Sequence, residues 1–397
     1  MTNSQIDVVI VGGAMHGAGL AWFLATNPDF DGSIRVIERD PSYEFASTSH
    51  TNSCMRQQFS TELNIKISQY AASYLAELNE PVWQQLEAPR IRIREFGYLY
   101  LADNEAFADS LRRNQQLQAA CGVATEILSA QEIRARYPFY QLDDVLLGSL
   151  NRTNEGYFDG SALFQWWRQS SAQLGIKYLT DEVVGLELND SSERVTAVKL
   201  ASGETLGCGV LVNAAGPRAR QIAAMAGVEL PVEPRKRYSY LFAAAKPLPQ
   251  DLPLTIDPGG VHVRSDASHY LAGCPPEADP AVAYDDFDMD HSLWEEKVWP
   301  AIANRIPQFD SIKLLSSWVG HYAFNAFDQN AIVGPHPQVA NFLFVNGFSG
   351  HGLQQAPAMG RGLAELITYG AYQTLDLSPL AFSRIAANKP VVERAVI

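Results

Sequence analysis

Cysteine is scarce in this chain and badly spaced for holding anything. Cys54, Cys121, Cys208 and Cys274 lie far apart with no C-x-x-C pair, so neither a zinc site nor a disulfide framework is expected, and a reducing compartment fits better. Positive charge is short as well. Thirty Lys and Arg stand against 44 Asp and Glu, a net charge of −14, which argues against nucleic acid or anionic membrane as partners. No apolar run reaches transmembrane length, because the first long one is interrupted by glycines and His16. The opening Met-Thr-Asn-Ser-Gln-Ile-Asp lacks the basic start of a secretory leader, so cytoplasm is the default. Internal repeats and low-complexity tracts are absent too. What is left is an ordinary globular composition, 47% hydrophobic and 19% charged, in 397 residues, long enough for two domains.

Most of the information lies between Asp7 and Glu38. Val8 to Val11 is a short apolar strand that runs into Gly12-Gly13-Ala14-Met15-His16-Gly17. An apolar helix follows to Ala25, and a second strand, Ile34 to Ile37, ends on Glu38. That order reads as a dinucleotide-binding βαβ unit, with a pyrophosphate on the helix N-terminus and an acid on a ribose hydroxyl. The middle glycine of the fingerprint is replaced by Ala14, giving G-x-A-x-x-G. Glu38 would repel a 2′-phosphate, which argues against NADP.

Beyond Glu38 a polar loop leads to a helix with Leu63, Ile67, Tyr70, Tyr74, Leu75 and Leu78 on one face. Ser60 or Thr61 is its expected cap. Arg90 to Leu101 alternates like a strand, and Asn104 to Cys121 reads as a polar helix. Ser161 to Leu174 is a further helix whose Phe164, Trp166 and Trp167 are expected in the core. Glu182 to Leu188, Val195 to Leu200 and Leu206 to Asn213 read as strands, the last ending in Ala214-Ala215-Gly216. Pro231 to Pro307 is rich in proline and turns, with short strands such as Val261 to Arg264, and reads as an antiparallel substrate domain. Phe342 to Tyr369 is strand, glycine loop, helix.

Four segments, Val8 to Ala25, Ala46 to Phe59, Val212 to Ala226 and Trp318 to Leu366, resemble the D-amino-acid oxidase superfamily of FAD enzymes, which includes sarcosine oxidase, glycine oxidase and dimethylglycine dehydrogenase. Met55 to Ser60, Phe327 to Ile332 and Gly347 to Gln355 resemble the branch containing a mitochondrial oxidoreductase linked to complex I assembly. The likeness covers nearly the whole chain. It implies an α/β, Rossmann-type FAD domain interleaved with a mixed, largely antiparallel sheet domain of α+β type. The cofactor domain is expected from residues 1–80, 146–228 and 322–397, and the substrate domain from 81–145 and 229–321.

The resemblance places FAD contacts at Gly12, Gly13, Ala14, Met15, His16 and Gly17, at Glu38 and Arg39, and at Ser47, Thr48, His50, Asn52, Ser53 and Cys54. Val184, Ala214 to Gly216, and Gly350, His351, Gly352, Leu353 and Gln354 complete the set. The helix opening after Phe348 would aim its positive end at the flavin pyrimidine edge, where charge develops on reduction. Ser47-Thr48-Ser49-His50 is similar to the Ser-Thr-x-His of dimethylglycine dehydrogenase, whose histidine is attached to the flavin. The related branch lacks that histidine, so non-covalent FAD is expected and a link through His50 is the alternative. No metal is expected.

Four residues are the catalytic candidates. Arg56 aligns with the arginine that binds substrate carboxylate in sarcosine oxidase, a task suited to a planar guanidinium. Gln354 and Tyr322 stand where relatives place cations for the same carboxylate, which points away from glycine or sarcosine themselves. His262 shares a strand face with Arg264, as alternation requires, and His262 or Tyr322 would be the base if one exists. Leu271 replaces the oxygen-activating lysine of sarcosine oxidase, which favours a quinone or carrier over O2 as electron acceptor. Arg218 replaces a tryptophan usual after Gly216-Pro217. The implied reaction is oxidation of a C–N bond in an amine or N-substituted amino acid, by hydride transfer to flavin N5, giving an imine that hydrolyses. A 2-hydroxy-acid dehydrogenase and a non-catalytic assembly flavoprotein are the alternatives.

Overall fold

The computed structural model describes residues 5–394. Strand β1, Ile6–Val11, is apolar on both faces because both are covered. Val8 and Ile10 enter one core with the helices, while Ile6, Val9 and Val11 enter a second core on the other side. Helix α1, Met15–Ala25, and strand β2, Ile34–Glu38, complete the expected unit, with β1 parallel to β2 and to Thr205–Asn213. The first sheet runs Ile332–Pro335, Phe342–Asn346, Thr205–Asn213, β1, β2, Lys177–Thr180. Val183–Leu188 and Val195–Leu200 form an antiparallel ribbon on the long Thr205–Asn213 strand.

Helix α1 is buried nearly all round. It packs beside the helices Gly160–Gln173 and Gly352–Tyr369, with Trp22, Phe164, Trp166 and Trp167 in the shared core. Both Trp22 and Trp167 donate their indole N–H to the Tyr74 hydroxyl, at 3.2 and 2.9 Å, so the polar atoms of this aromatic cluster are satisfied. Each fully buried large side chain there contributes roughly 1.5–3 kcal/mol. The helix Glu62–Glu77 starts at Thr61, whose side chain makes no capping bond.

The second sheet has eight strands, in the order Ile312–Asn325, Val232–Ala244, His269–Cys274, His262–Asp266, Leu254–Ile256, Tyr98–Ala102, Leu147–Asn151, Glu126–Ser129. All neighbours are antiparallel except Leu254–Ile256 with Tyr98–Ala102. Two strands of this sheet lie at or across the expected domain boundaries. Leu147–Asn151, expected with the 146–228 segment, pairs with Tyr98–Ala102 in the second sheet. Ile312–Asn325 continues past residue 321 as one strand. The alternation from Arg90 gives a strand only at Tyr98–Ala102, because Arg94 makes just a single bridge to Tyr157 before it. No helix among the described residues is long and apolar enough to cross a membrane.

Candidate active site

A cavity of about 680 Å³ lies between the two sheets, a size in the range of ligand pockets. One end is made by the first sheet. There β1 turns into α1 at Gly12, whose φ is +98° and whose missing side chain leaves room for the Ala214 carbonyl, 2.5 Å from where a Cβ would sit. Gly17 is required one turn later, since a Cβ there would fall 1.9 Å from the Gly12 oxygen. The Glu38 carboxylate accepts the Gly13 and Asp40 N–H groups at 2.8 and 2.9 Å and is pushed up in pKa by burial. It therefore holds the glycine turn as well as facing the cavity. Thr48 Oγ1 accepts the Met15 N–H, and Ser47 donates to the His321 carbonyl, tying the polar loop across both sheets.

Midway, the His16 ring stacks on Phe348 at 3.9 Å. Burial holds it neutral, lowering its pKa to about 3, and its Nε2 has no hydrogen-bond partner. A neutral imidazole beside the open amides at the start of Gly352–Tyr369 suits an uncharged heteroaromatic edge or an anion. The glycine turn, the carboxylate at the end of β2 and this second helix start together fit a dinucleotide with its ring toward the second sheet.

The other end is walled by the second sheet. The register sets Arg237 opposite Gly320, Ser239 opposite Gly273, and Gly273 opposite His262. The His262 ring lies over Gly273, where any Cβ would be 2.7 Å from its Nε2. Asn52 Nδ2 donates to that Nε2 at 2.9 Å, so the ring proton sits on Nδ1, a buried donor with no partner. Burial, with the charges of Arg264 and Arg237, lowers the His262 pKa to about 4. Tyr322 is raised above its usual range by burial. Arg237 stacks over the Tyr322 ring at 4.5 Å. Arg264 does not line the cavity; it pairs with Asp266 and donates to the Asn52 carbonyl, which fixes the residue that orients His262.

Arg56 is 3% exposed and is held by its surroundings. Its guanidinium lies 4.0 Å over the Phe59 ring and donates to the Gln58 carbonyl. Its backbone N–H donates to Gln354 Oε1 at 2.7 Å, so Gln354 ties this loop to the helix start. Beneath it the fully buried Glu155 accepts the Gln57 and Gln58 backbone N–H groups and the Gln58 side chain. Burial raises Glu155 to about 7. The segment Pro275 to His291 crosses the mouth: Asp279 pairs with Arg237, Asp286 with Lys236, and Phe287 stacks on His321 at 4.1 Å.

Arg56, His262, Tyr322 and Gln354 all line the cavity. So do Gly12, Ala14, Met15, His16, Glu38, Arg39, Ser47, Thr48, His50, Asn52, Cys54, Val184, Ala214 to Gly216 and Gly350 to Leu353. Gly13, Gly17 and Ser53 sit behind the wall, where they shape the turn and loop; Ser53, for example, donates to the Phe158 carbonyl. Val183 also faces the cavity and is buried, whereas Val184 is half exposed. His50 Nδ1 bonds the Ala46 carbonyl at 3.2 Å. Sequence reasoning missed Arg237, Phe287 and Tyr284. Arg235-Lys236-Arg237 looks like a solvated basic run, and only the strand register reveals that Arg237 turns inward. Among the described residues no cluster of His, Cys, Asp and Glu is arranged to hold a metal.

Comparison with known proteins agrees with this geometry. The chain is 36% identical over 428 residues to FAD-dependent oxidoreductase domain-containing protein 1 of Bos taurus, covering 98% of this chain and 87% of that protein. It is 24% identical to mitochondrial sarcosine dehydrogenase of Mus musculus, over 92% of this chain but 40% of that one. The crystal structure of L-proline dehydrogenase from P. horikoshii shares the fold, with a TM-score of 0.84 and 24% identity over 97% of this chain and 99% of that one. A family model described as FAD dependent oxidoreductase matches residues 7–366, and with a glycine turn, a β2 carboxylate and a second helix start converging on one cavity, the chain belongs to that family of FAD-using flavoproteins.

Proposed function

We propose that this oxidoreductase takes a hydride from the carbon next to an uncharged amine nitrogen, in an amine or N-substituted amino acid. The flavin supplies the hydride-accepting ring; the chain supplies orientation, charge and dryness. The observation that carries the reading is that neither expected base at the sheet end, His262 or Tyr322, is poised to take a proton. His262 already has its Nε2 lone pair occupied by Asn52 and presents a proton donor instead. Tyr322 is held protonated by burial. The acids lining the cavity, Glu38, Asp40, Asp181, Glu182 and Asp285, lie at the β2 end or on the crossing segment. A hydroxy acid needs a base to remove its hydroxyl proton, while a neutral amine does not. Fixed charges on Arg56 and Arg237, together with desolvation, lower the pKa of a bound ammonium and favour its uncharged form.

In this reading Asn52 fixes His262, whose Nδ1–H meets an acceptor on the substrate. Tyr322 offers a second neutral hydrogen bond, and Gln354 holds the Arg56 loop in place. The Leu271 side chain is buried outside the cavity, so no cation from that strand position assists oxygen, which supports a quinone or other carrier as acceptor. The test is anaerobic mixing of flavin-loaded protein with secondary amino acids, simple amines and 2-hydroxy acids, followed by flavin absorbance. Bleaching by amine substrates, faster as pH rises and the amine deprotonates, is expected. Bleaching by hydroxy acids alone would overturn it.

A further inference from the structure

Between the short strand Cys54–Met55 and the helix Glu62–Glu77, the backbone that carries Arg56 has no strand or helix of its own. Each N–H along it nevertheless has an acceptor, as a buried segment requires. Arg56 uses Gln354, and Gln57 and Gln58 use Glu155. Phe59 N–H closes on the Gln57 carbonyl at 2.8 Å. Ser60 N–H donates to Glu393 Oε1 at 2.7 Å, an acceptor 333 residues further along the chain. Glu393 is 2% exposed. Its Oε2 accepts the Thr61 hydroxyl at 3.2 Å and Asn64 Nδ2 at 3.0 Å, and the next residue, Arg394, donates its N–H to Ser60 Oγ at 2.8 Å. The carboxylate therefore sits at the start of Glu62–Glu77, where negative charge is favoured and where the Thr61 side chain makes no capping bond.

The segment that brings Glu393 here is itself anchored. Val391 N–H donates to Asp328 Oδ2 at 3.0 Å, its carbonyl accepts Asn330 Nδ2, and Asp328 is paired with the buried Arg384 at 2.7 Å. Asn64 Nδ2 also donates to Asn330 Oδ1, and Gln355 Nε2 donates to Asn64 Oδ1. The segments Met55 to Ser60, Phe327 to Ile332 and Gly347 to Gln355, separate in sequence, thus meet around Glu393 and Asn64. Phe59, whose ring carries the Arg56 guanidinium, lies between Gln58, held by Glu155, and Ser60, held by Glu393; its carbonyl accepts Gln118 Nε2. Resting on the amine reading, in which Arg56 supplies a fixed charge, we infer that Glu393 is a positioning residue for the active site. Through Ser60 it fixes the Phe59 platform under Arg56, and through Asn64 and Gln355 it ties that platform to the helix start on the cavity. Glu393 does not line the cavity, so it acts only through these neighbours.

The test reads the loop and the reaction separately. Flavin-loaded wild type, Glu393→Ala, Glu393→Gln and Glu393→Asp are reduced anaerobically by an amine that wild type oxidises, and backbone amide exchange of residues 55–61 is measured on the same proteins. Glu393→Ala leaves the Ser60 N–H without its acceptor, so exchange of that segment should rise at least about 10-fold. The half-saturating amine concentration should rise about 10-fold while the limiting reduction rate changes by less than about 3-fold, because Arg56 bears on binding of the uncharged amine in ground and transition state alike. Flavin per chain should stay constant. Glu393→Gln keeps an oxygen for Ser60 and should recover most of both effects; impairment equal to that of Glu393→Ala overturns the inference. So does a Glu393→Ala protein that melts earlier but keeps the wild-type concentration dependence. Should Glu393→Ala fail to fold, Glu393→Asp, shorter by one methylene, is read in the same way: a rise of about 3-fold or more upholds the inference and none overturns it. If wild type oxidises no amine, the amine reading falls and the hold of Glu393 on the Arg56 loop is judged by exchange alone, a rise upholding it and no rise overturning it.

Discussion

The two walls of the cavity are built from different materials. The first sheet presents backbone: a glycine turn, helix starts and one carboxylate that braces the turn. The second sheet presents side chains, Arg237, His262 and Tyr322, each with a polar group tuned by its neighbours. Backbone geometry admits few residue types, so the first wall is rigid and chemically plain. Side chains on alternating strand positions can be exchanged without moving the sheet. The comparison implies that the first wall decides which cofactor is held and the second decides which substrate is used.

The sharpest way to break that division is at Gly17. A methyl placed there meets the Gly12 oxygen, a backbone atom that can move only by distorting the turn. Gly17→Ala should cost at least about 3 kcal/mol or leave the protein nearly free of bound FAD. Thermal unfolding together with flavin per chain measures both. A variant that melts and loads like wild type would show that the turn is not the rigid element.

The same contrast explains what was legible in the sequence. Val8 to Glu38 announces its fold because the glycine spacing and the flanking apolar strands are consequences of close backbone approach. Phe164, Trp166 and Trp167 were placed in the core correctly, since large apolar groups at helical spacing are buried. The second wall was only half visible. His262 and Arg264 share a strand face, but nothing local shows that the first lines the cavity and the second holds Asn52. That Leu147–Asn151 joins the second sheet is not legible locally, because strand pairing is non-local and its partner lies about fifty residues earlier. Arg237 was hidden for the same reason: its role depends on register with Gly320 and on an aspartate, Asp279, 42 residues away.

Glu155 sits at the seam between the walls and tests whether they are coupled. It follows a strand of the second sheet yet holds Gln57 and Gln58, beside Arg56. Its pKa rises from 4.5 to about 7 on folding, chiefly through burial. The folded chain therefore binds more protons than the unfolded one between those values, and this group's contribution to stability, full below pH 4.5, is lost as pH rises toward 7. Relative to Glu155→Gln, wild type should lose on the order of 1 kcal/mol per pH unit across that window. Denaturant unfolding of both proteins at a series of pH values measures the difference. A flat difference would mean that the carboxylate is already ionised in the fold and that the seam carries a fixed charge pair with Arg56.

The smallest effect is expected at Ala14, the residue that departs from the glycine fingerprint. Its backbone is extended, with φ −71° and ψ −162°, a conformation any residue adopts. Nothing in the geometry of the turn therefore demands glycine here, in contrast to Gly12 and Gly17. Ala14→Gly should change FAD affinity by less than about 3-fold and stability by no more than about 0.5 kcal/mol, since removing a methyl at a helix start is close to neutral. Equilibrium titration of apoprotein with FAD reads the first and thermal unfolding the second. A gain in affinity of 10-fold or more would show that the methyl stands between backbone and pyrophosphate, and the first wall would then be tuned by a side chain as the second one is.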